Sequence, residues 1–161
     1  MVGLMGVGKS TVGRLVADRL GVTFIDNDDL LAAHTGRSAE RIAASHGLAE
    51  LHRIEAGVLD KALDRPGSSV LTAAASVVTD EASRAALRKA RHVVWLRDDP
   101  AAIAARIARS GQPHRPDLPQ TLRQIERQRR PLFAAATTVT IDIAGDPPET
   151  VADRIVAALR G

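Results

Sequence analysis

Short β-type runs alternate with longer, alanine-rich runs of helical period along the whole chain. Thr23-Phe24-Ile25, Ser69-Val70-Leu71-Thr72 and Thr138-Val139-Thr140-Ile141-Asp142 predict three strands, and His92-Val93-Val94-Trp95-Leu96 predicts a fourth. The His92 run is almost continuously apolar, as expected of a strand covered on both faces. Apolar positions recurring every three or four residues predict helices over 9–20, 48–64, 80–90, 99–109, 119–135 and 147–160. Asp99-Pro100 and Asp146-Pro147 each pair an N-cap residue with proline at the first helical position. Strands alternating with helices predict βαβ units, hence an α/β fold with a parallel sheet and helices on both faces. The stretch 110–119 holds three prolines and one glycine and predicts a loop of the lid type. No internal repeat or long linker divides the chain, so 1–161 reads as a single domain.

Composition narrows this picture. At 45% hydrophobic and 25% charged over 161 residues, the chain matches a globular domain and excludes a collagen-like or disordered one. The absence of cysteine excludes disulfides, thiolate catalysis and cysteine-based zinc sites. Phe24, Trp95 and Phe133 are the whole aromatic set, so alanine and short aliphatics must fill the core, and Trp95 is expected there. A net charge of +3, spread along the chain, gives no footprint for nucleic acid. No apolar run is long enough to cross a membrane, and no signal-peptide pattern opens the chain, so the expected setting is the cytoplasm. His34, His46, His92 and His114 share no metal-ligand spacing with carboxylates.

The chemistry lies at the start. Gly3-Leu4-Met5-Gly6-Val7-Gly8-Lys9-Ser10, followed by Thr11, matches the phosphate-binding P-loop in full. Backbone N–H groups must close around phosphates there, so Gly3, Gly6 and Gly8 keep the approach clear, with Val7 on the same loop. Lys9 is expected at the β- and γ-phosphates of ATP and the Ser10 hydroxyl on Mg²⁺. Such a loop normally hangs from a central strand, yet only Met1 and Val2 precede Gly3. The alternatives are a missing segment of about four to six residues, one strand's worth, or residues 1–4 pairing as a stub; the first is the expectation. Asp26 and Asp28 follow the Thr23 run, where ligands of parallel sheets bind. One of the pair is suited to a Mg²⁺-bound water and the other to a hydroxyl proton. Helix N-capping by Asp28 or Asp29 is the competing use.

Residues 3–11, the Asp26-x-Asp28 pair, Thr35-Gly36-Arg37-Ser38, the stretches 47–55 and 70–87, Arg115-Pro116 and Arg129-x-Pro131-Leu132-Phe133 together resemble the shikimate kinase family over nearly the whole chain. The resemblance implies a three-layer P-loop kinase fold with about five parallel strands, the first nearly truncated, and a short lid. It also implies transfer of the γ-phosphoryl of ATP to the 3-hydroxyl of shikimate, with Mg²⁺. Residues 27–64 would form the substrate-binding region and 110–119 the lid. Asp28 would bind substrate hydroxyls and act as base, and Asp26 would help hold Mg²⁺. Arg115 would approach the phosphates from the lid, Arg129 would take the substrate carboxylate, and Arg106 or Arg109 would pack on adenine. The expected partner is a small molecule alone, with the protein a monomer.

Three departures from the family stand out. His52 occupies the place of the arginine that grips the shikimate carboxylate, and Leu48 that of a glutamate. Ala74, Ala75 and Ser76 replace three glycines, where alanine disfavours positive φ. The lid is also several residues short. Arg53, next to His52, would point about 100° away around the helix. Glu55 keeps the family pattern and is placed to orient a binding arginine. These changes leave open a kinase for another small polyol or hydroxy acid, or a nucleotide-binding relative with weak or no transfer; a nucleoside monophosphate kinase would need more room.

Overall fold

The structure, a computed structural model, describes residues 1–110 and 116–160. Its four strands form two parallel ladders. β1 (Thr23–Ile25) pairs with β2 (Ser69–Leu71), Phe24 opposite Val70. β3 (Val94–Arg97) pairs with β4 (Val139–Asp142), Trp95 opposite Thr140. Met1 and Val2 join the ladders. The Met1 amine donates to the Leu71 carbonyl, and Ala73 N–H donates to Met1 O at 3.0 Å. On the other side Val2 N–H donates to Val94 O at 2.8 Å, and Leu96 N–H to Val2 O at 3.0 Å. The first strand is thus a two-residue stub at the centre of a five-position sheet. Residues 1 and 2 pair as the stub that was one of the two alternatives.

Helix α1 (Lys9–Leu20) follows the P-loop and packs on α7 (Pro148–Arg160). The main core gathers Val2, Val16, Leu59, Leu96, Ile103, Phe133 and Ile155 from stub, strand and helices. Trp95 is buried in it, stacked on Phe133 with ring centroids 5.3 Å apart, as its strand pattern predicted. A second, smaller core of Leu31, Ile42 and Leu51 belongs to α2 (Asn27–Thr35) and α3 (Ala39–Leu63). The remaining elements are a 3₁₀ turn at Val77–Thr79, α4 (Glu81–Leu87), α5 (Pro100–Arg109) and α6 (Leu118–Ala136).

Three boundaries differ from expectation. The helix predicted over 48–64 begins at Ala39, where the Ser38 hydroxyl caps the Arg41 N–H, and Gly47 kinks it at φ 82°. Helix α2 was not predicted; it starts because Asp26 caps it and stops at Gly36, and its apolar period is too weak to stand out. Helix α7 opens at Pro148 rather than Pro147, and the Asp146 carboxylate accepts from Arg154 at 2.8 Å. Asp99 caps α5 as expected, accepting from Ala101 N–H at 2.6 Å. Of the expected lid, residues 111–115 lie outside the described residues, and α6 begins at Leu118.

A cavity of about 560 Å³ opens beyond Met1, lined by Val70 and Leu71 on one side, Val93 and Val94 on the other, and Leu59 and Ile155 from the helices. The Met1 amine, at its inner end, is pushed down to a pKa of about 5, first by burial and then by the Lys9 charge. The folded state therefore holds this proton less readily than the unfolded chain, whose amine titrates near 8.0. Stability from this group is full above pH 8 and is lost as pH falls towards 5, by up to about 4 kcal/mol. A variant with about five β-forming residues placed before Met1 turns the amine into an uncharged peptide N–H. Urea midpoints measured from pH 8 to pH 5 are expected to fall more steeply for the 161-residue chain than for this variant, and equal slopes would refute the account.

Candidate active site

The stub ends at the P-loop. A Cβ on Gly3 would sit 2.5 Å from the Leu96 carbonyl oxygen, and one on Gly6 would sit 2.6 Å from the Ile107 side chain. Both glycines have positive φ, so close packing and backbone conformation alike exclude other residues. Gly8 begins α1 without a side-chain cap, leaving first-turn N–H groups for an anion, with the helix dipole behind them. Ser10 and Thr11 are exposed at this mouth.

Lys9 Nζ donates to Gly3 O and Leu4 O, both at 3.0 Å, so the ammonium is folded back onto the loop that would present the phosphates. Burial lowers its pKa to about 8, against the attraction of Asp28, Asp26 and Glu55. That one ammonium feels all three carboxylates means the P-loop, the β1–α2 turn and α3 converge on it.

The β1–α2 turn places the carboxylate pair. Asp26 is buried and caps α2, its Oδ1 accepting from Asp28 N–H at 3.1 Å. The cap is thus Asp26 rather than Asp28 or Asp29, and Asp28 stays exposed. Desolvation, then repulsion by Asp26, raises the Asp28 pKa. Asn27 N–H donates to Thr72 Oγ1 at 3.4 Å and ties the turn to the end of β2.

The third wall joins α3, the 74–76 turn and α6. Glu55 is buried, and the Ser76 hydroxyl donates a short hydrogen bond to its Oε2. Desolvation raises the Glu55 pKa, opposed by that bond and by the charges of His52 and Arg129. Arg129 Nη1 donates to Ala75 O at 2.7 Å, and burial lowers its pKa. His52 lies half-buried one turn before Glu55. Ala144 is the one non-glycine residue with positive φ among the described residues, so Ala74, Ala75 and Ser76 form their turn without the left-handed strain expected of alanine in place of glycine. Arg53 turns away from this wall and forms a two-point pair with Glu50.

Arg106 is placed differently from a stacking residue. Its Nη1 donates to Gly6 O at 3.1 Å and Val7 O at 3.2 Å, and its Nη2 pairs with the buried Asp98 carboxylate at 2.6 Å. It straps α5 to the P-loop. In the sequence only its place at the end of a buried strand marks Asp98. Arg109 is exposed at the end of α5, and Arg115 lies outside the described residues. A Mg²⁺ ion suits the oxygens at hand. It takes one or two protein oxygens and fills its octahedron with phosphate and water, and Ser10 and Asp26 provide that many. Among the described residues no group of three or more His, Asp or Glu forms a self-sufficient metal cage.

Comparison with known proteins agrees with this geometry. A family model described as shikimate kinase matches residues 5–160. The chain is 38% identical to the shikimate kinase of Symbiobacterium thermophilum, over 88% of this chain and 83% of that protein. It is 37% identical to the shikimate kinase of Halorhodospira halophila, over 100% of this chain and 92% of that protein. Among solved structures, shikimate kinase from Acinetobacter baumannii in complex with shikimate superposes with a TM-score of 0.87 at 27% identity, covering 98% of this chain and 89% of that one. With its P-loop, carboxylate pair and arginine wall on one α/β scaffold, the chain belongs to the shikimate kinase family.

Proposed function

We propose that this protein transfers the γ-phosphoryl group of ATP to a hydroxyl of shikimate, giving shikimate 3-phosphate. The observation that carries the reading is the convergence on Lys9: the phosphate loop, the Asp26–Asp28 turn and the Glu55 wall all act on one ammonium. Phosphoryl transfer asks chiefly for positioning and for neutralised charge, and this site offers both. The α1 N-terminus and Lys9 hold the donor phosphates. Asp28, exposed beside them, orients the acceptor hydroxyl and takes its proton. Arg129 and His52 face the acceptor carboxylate, with Ala74, Ala75 and Ser76 forming the adjoining wall. Ser10 and Asp26 would hold Mg²⁺, which when bound offsets charge on the phosphate oxygens. Arg106, fixed on the P-loop, keeps the loop's curvature, while Arg109 is the residue left to meet adenine and Arg115 the one assigned to close over the phosphates. The proposed setting is the cytoplasm and the proposed working unit a monomer. His52 in place of an arginine favours a second reading, a kinase for another small hydroxy acid.

A coupled ADP-release assay with shikimate, quinate and gluconate separates the readings. Stimulation by shikimate alone supports the first, and stimulation by gluconate or quinate alone replaces it with the second. Lys9→Ala is expected to lower kcat by at least about a hundredfold, the scale for losing a preorganised charge at the reacting group.

His52→Arg restores a two-point carboxylate donor and is expected to lower the KM for shikimate about tenfold with kcat little changed. An unchanged KM would remove His52 from the acceptor site.

The raised Asp28 pKa gives kcat an acid limb: activity falls as pH drops through a value above the ordinary aspartate range, because the protonated carboxyl cannot accept the hydroxyl proton. Asp28→Asn is expected to lose about a hundredfold or more in kcat, and the acid limb with it. A limb that persists in this variant would assign the titration elsewhere.

A further inference from the structure

Two neighbouring residues of one turn hold two oppositely charged groups apart. The Ala75 carbonyl engages Arg129 Nη1 at 2.7 Å, and the Ser76 hydroxyl engages Glu55 Oε2. Glu55 and Arg129 attract one another, yet among the described residues they form no ion pair. This separation is not what burial alone would produce. A buried carboxylate beside a half-buried guanidinium gains most by direct pairing, because few other partners offset its lost hydration. The serine hydroxyl removes that incentive by supplying a donor at the carboxylate. Among the described residues Arg129 makes no other side-chain hydrogen bond, so its remaining N–H groups are left for a ligand.

We propose that Ser76 is a positioning residue that holds the Glu55 carboxylate off Arg129 and so keeps the guanidinium free for an acceptor carboxylate. The proposal rests on the acceptor reading given above. Ser76 touches neither phosphate nor acceptor hydroxyl in this role. It acts through Glu55, and its side chain does what glycine at the same place could not. With His52 a weaker carboxylate donor than arginine, Arg129 becomes the principal cation for the acceptor, so the cost of losing it to Glu55 is greater in this chain.

The test compares Ser76→Ala, Glu55→Gln and the double variant with the unaltered protein. Removing the hydroxyl lets Glu55 pair with Arg129, and the double variant removes the charge that captures it. The KM for shikimate is expected to rise about tenfold in Ser76→Ala and to recover at least threefold in Ser76→Ala/Glu55→Gln, with the KM for ATP as internal comparison. A purely structural role for the hydroxyl predicts no recovery, since the second change would add a further lost bond. An acceptor-independent readout accompanies the kinetics: phenylglyoxal modification of Arg129, followed by peptide mass spectrometry. Labelling is expected to slow severalfold in Ser76→Ala and to return in the double variant. Equal labelling in all the proteins, or a Ser76→Ala KM for shikimate within twofold of the unaltered protein, overturns the proposal. If the unaltered protein does not turn over shikimate, the acceptor reading fails and the labelling alone decides the role of Ser76. Melting temperatures within a few degrees across the set confirm that each variant is folded, and a variant that fails this is replaced by Ser76→Gly.

Discussion

Everything in this molecule depends on two residues being paired on both sides. Met1 and Val2 bond to β2 through Leu71 and Ala73 and to β3 through Val94 and Leu96. Without them the sheet would be two separate two-stranded ribbons, and such ribbons are marginal alone. The P-loop leaves directly from this junction, and Gly3 lies against the Leu96 carbonyl at the next residue. The phosphate site therefore follows directly on a two-residue pairing. Support from elsewhere compensates: α5 bears on Gly6 through Ile107, and Arg106 ties the Gly6 and Val7 carbonyls to Asp98. The loop is held from the helix side as much as from the strand side.

The two halves of the site rest on different physics. On the donor side, backbone groups and the dipole of α1 do the binding, and these depend little on side-chain identity beyond Lys9 and the glycines. On the acceptor side, charged side chains are buried near each other, and their usefulness depends on who pairs with whom. Asp26 is occupied by the α2 N-terminus, Glu55 by Ser76, and Arg129 in part by Ala75. Asp28 is left exposed at the centre. The substitutions at His52 and at 74–76 fall wholly on this second side, where one changed partner redistributes several bonds.

The strands, most helices and the phosphate loop were legible in the sequence because they follow local rules: period, caps and a fixed glycine spacing. The β1–α2 carboxylate pair was legible too, since its place at a strand end is a topological consequence. What escaped were relations between distant residues. The pairing of Ser76 with Glu55 spans 21 positions, and that of Arg106 with Gly6 spans 100. No pattern along the chain encodes either. Helix α2 escaped for another reason: its helix is set by caps at Asp26 and Gly36, and its apolar contact is made by Leu31 alone of its residues fully buried in the small core. Alanine disfavours positive φ, and among the described residues Ala74, Ala75 and Ser76 adopt none.

The small core of Leu31, Ile42 and Leu51 has one further consequence. It is separate from the main core, and the kink at Gly47 falls within the helix that shares it. A unit with its own few apolar contacts opens at lower free energy than the sheet beneath it. Amide hydrogens in α2 and the first half of α3 will therefore exchange ahead of those in β3. The same independence means that a changed side chain in this small core disturbs a few contacts of its own, whereas one at Trp95 or Phe133 disturbs the packing shared by the strands and helices of the main core.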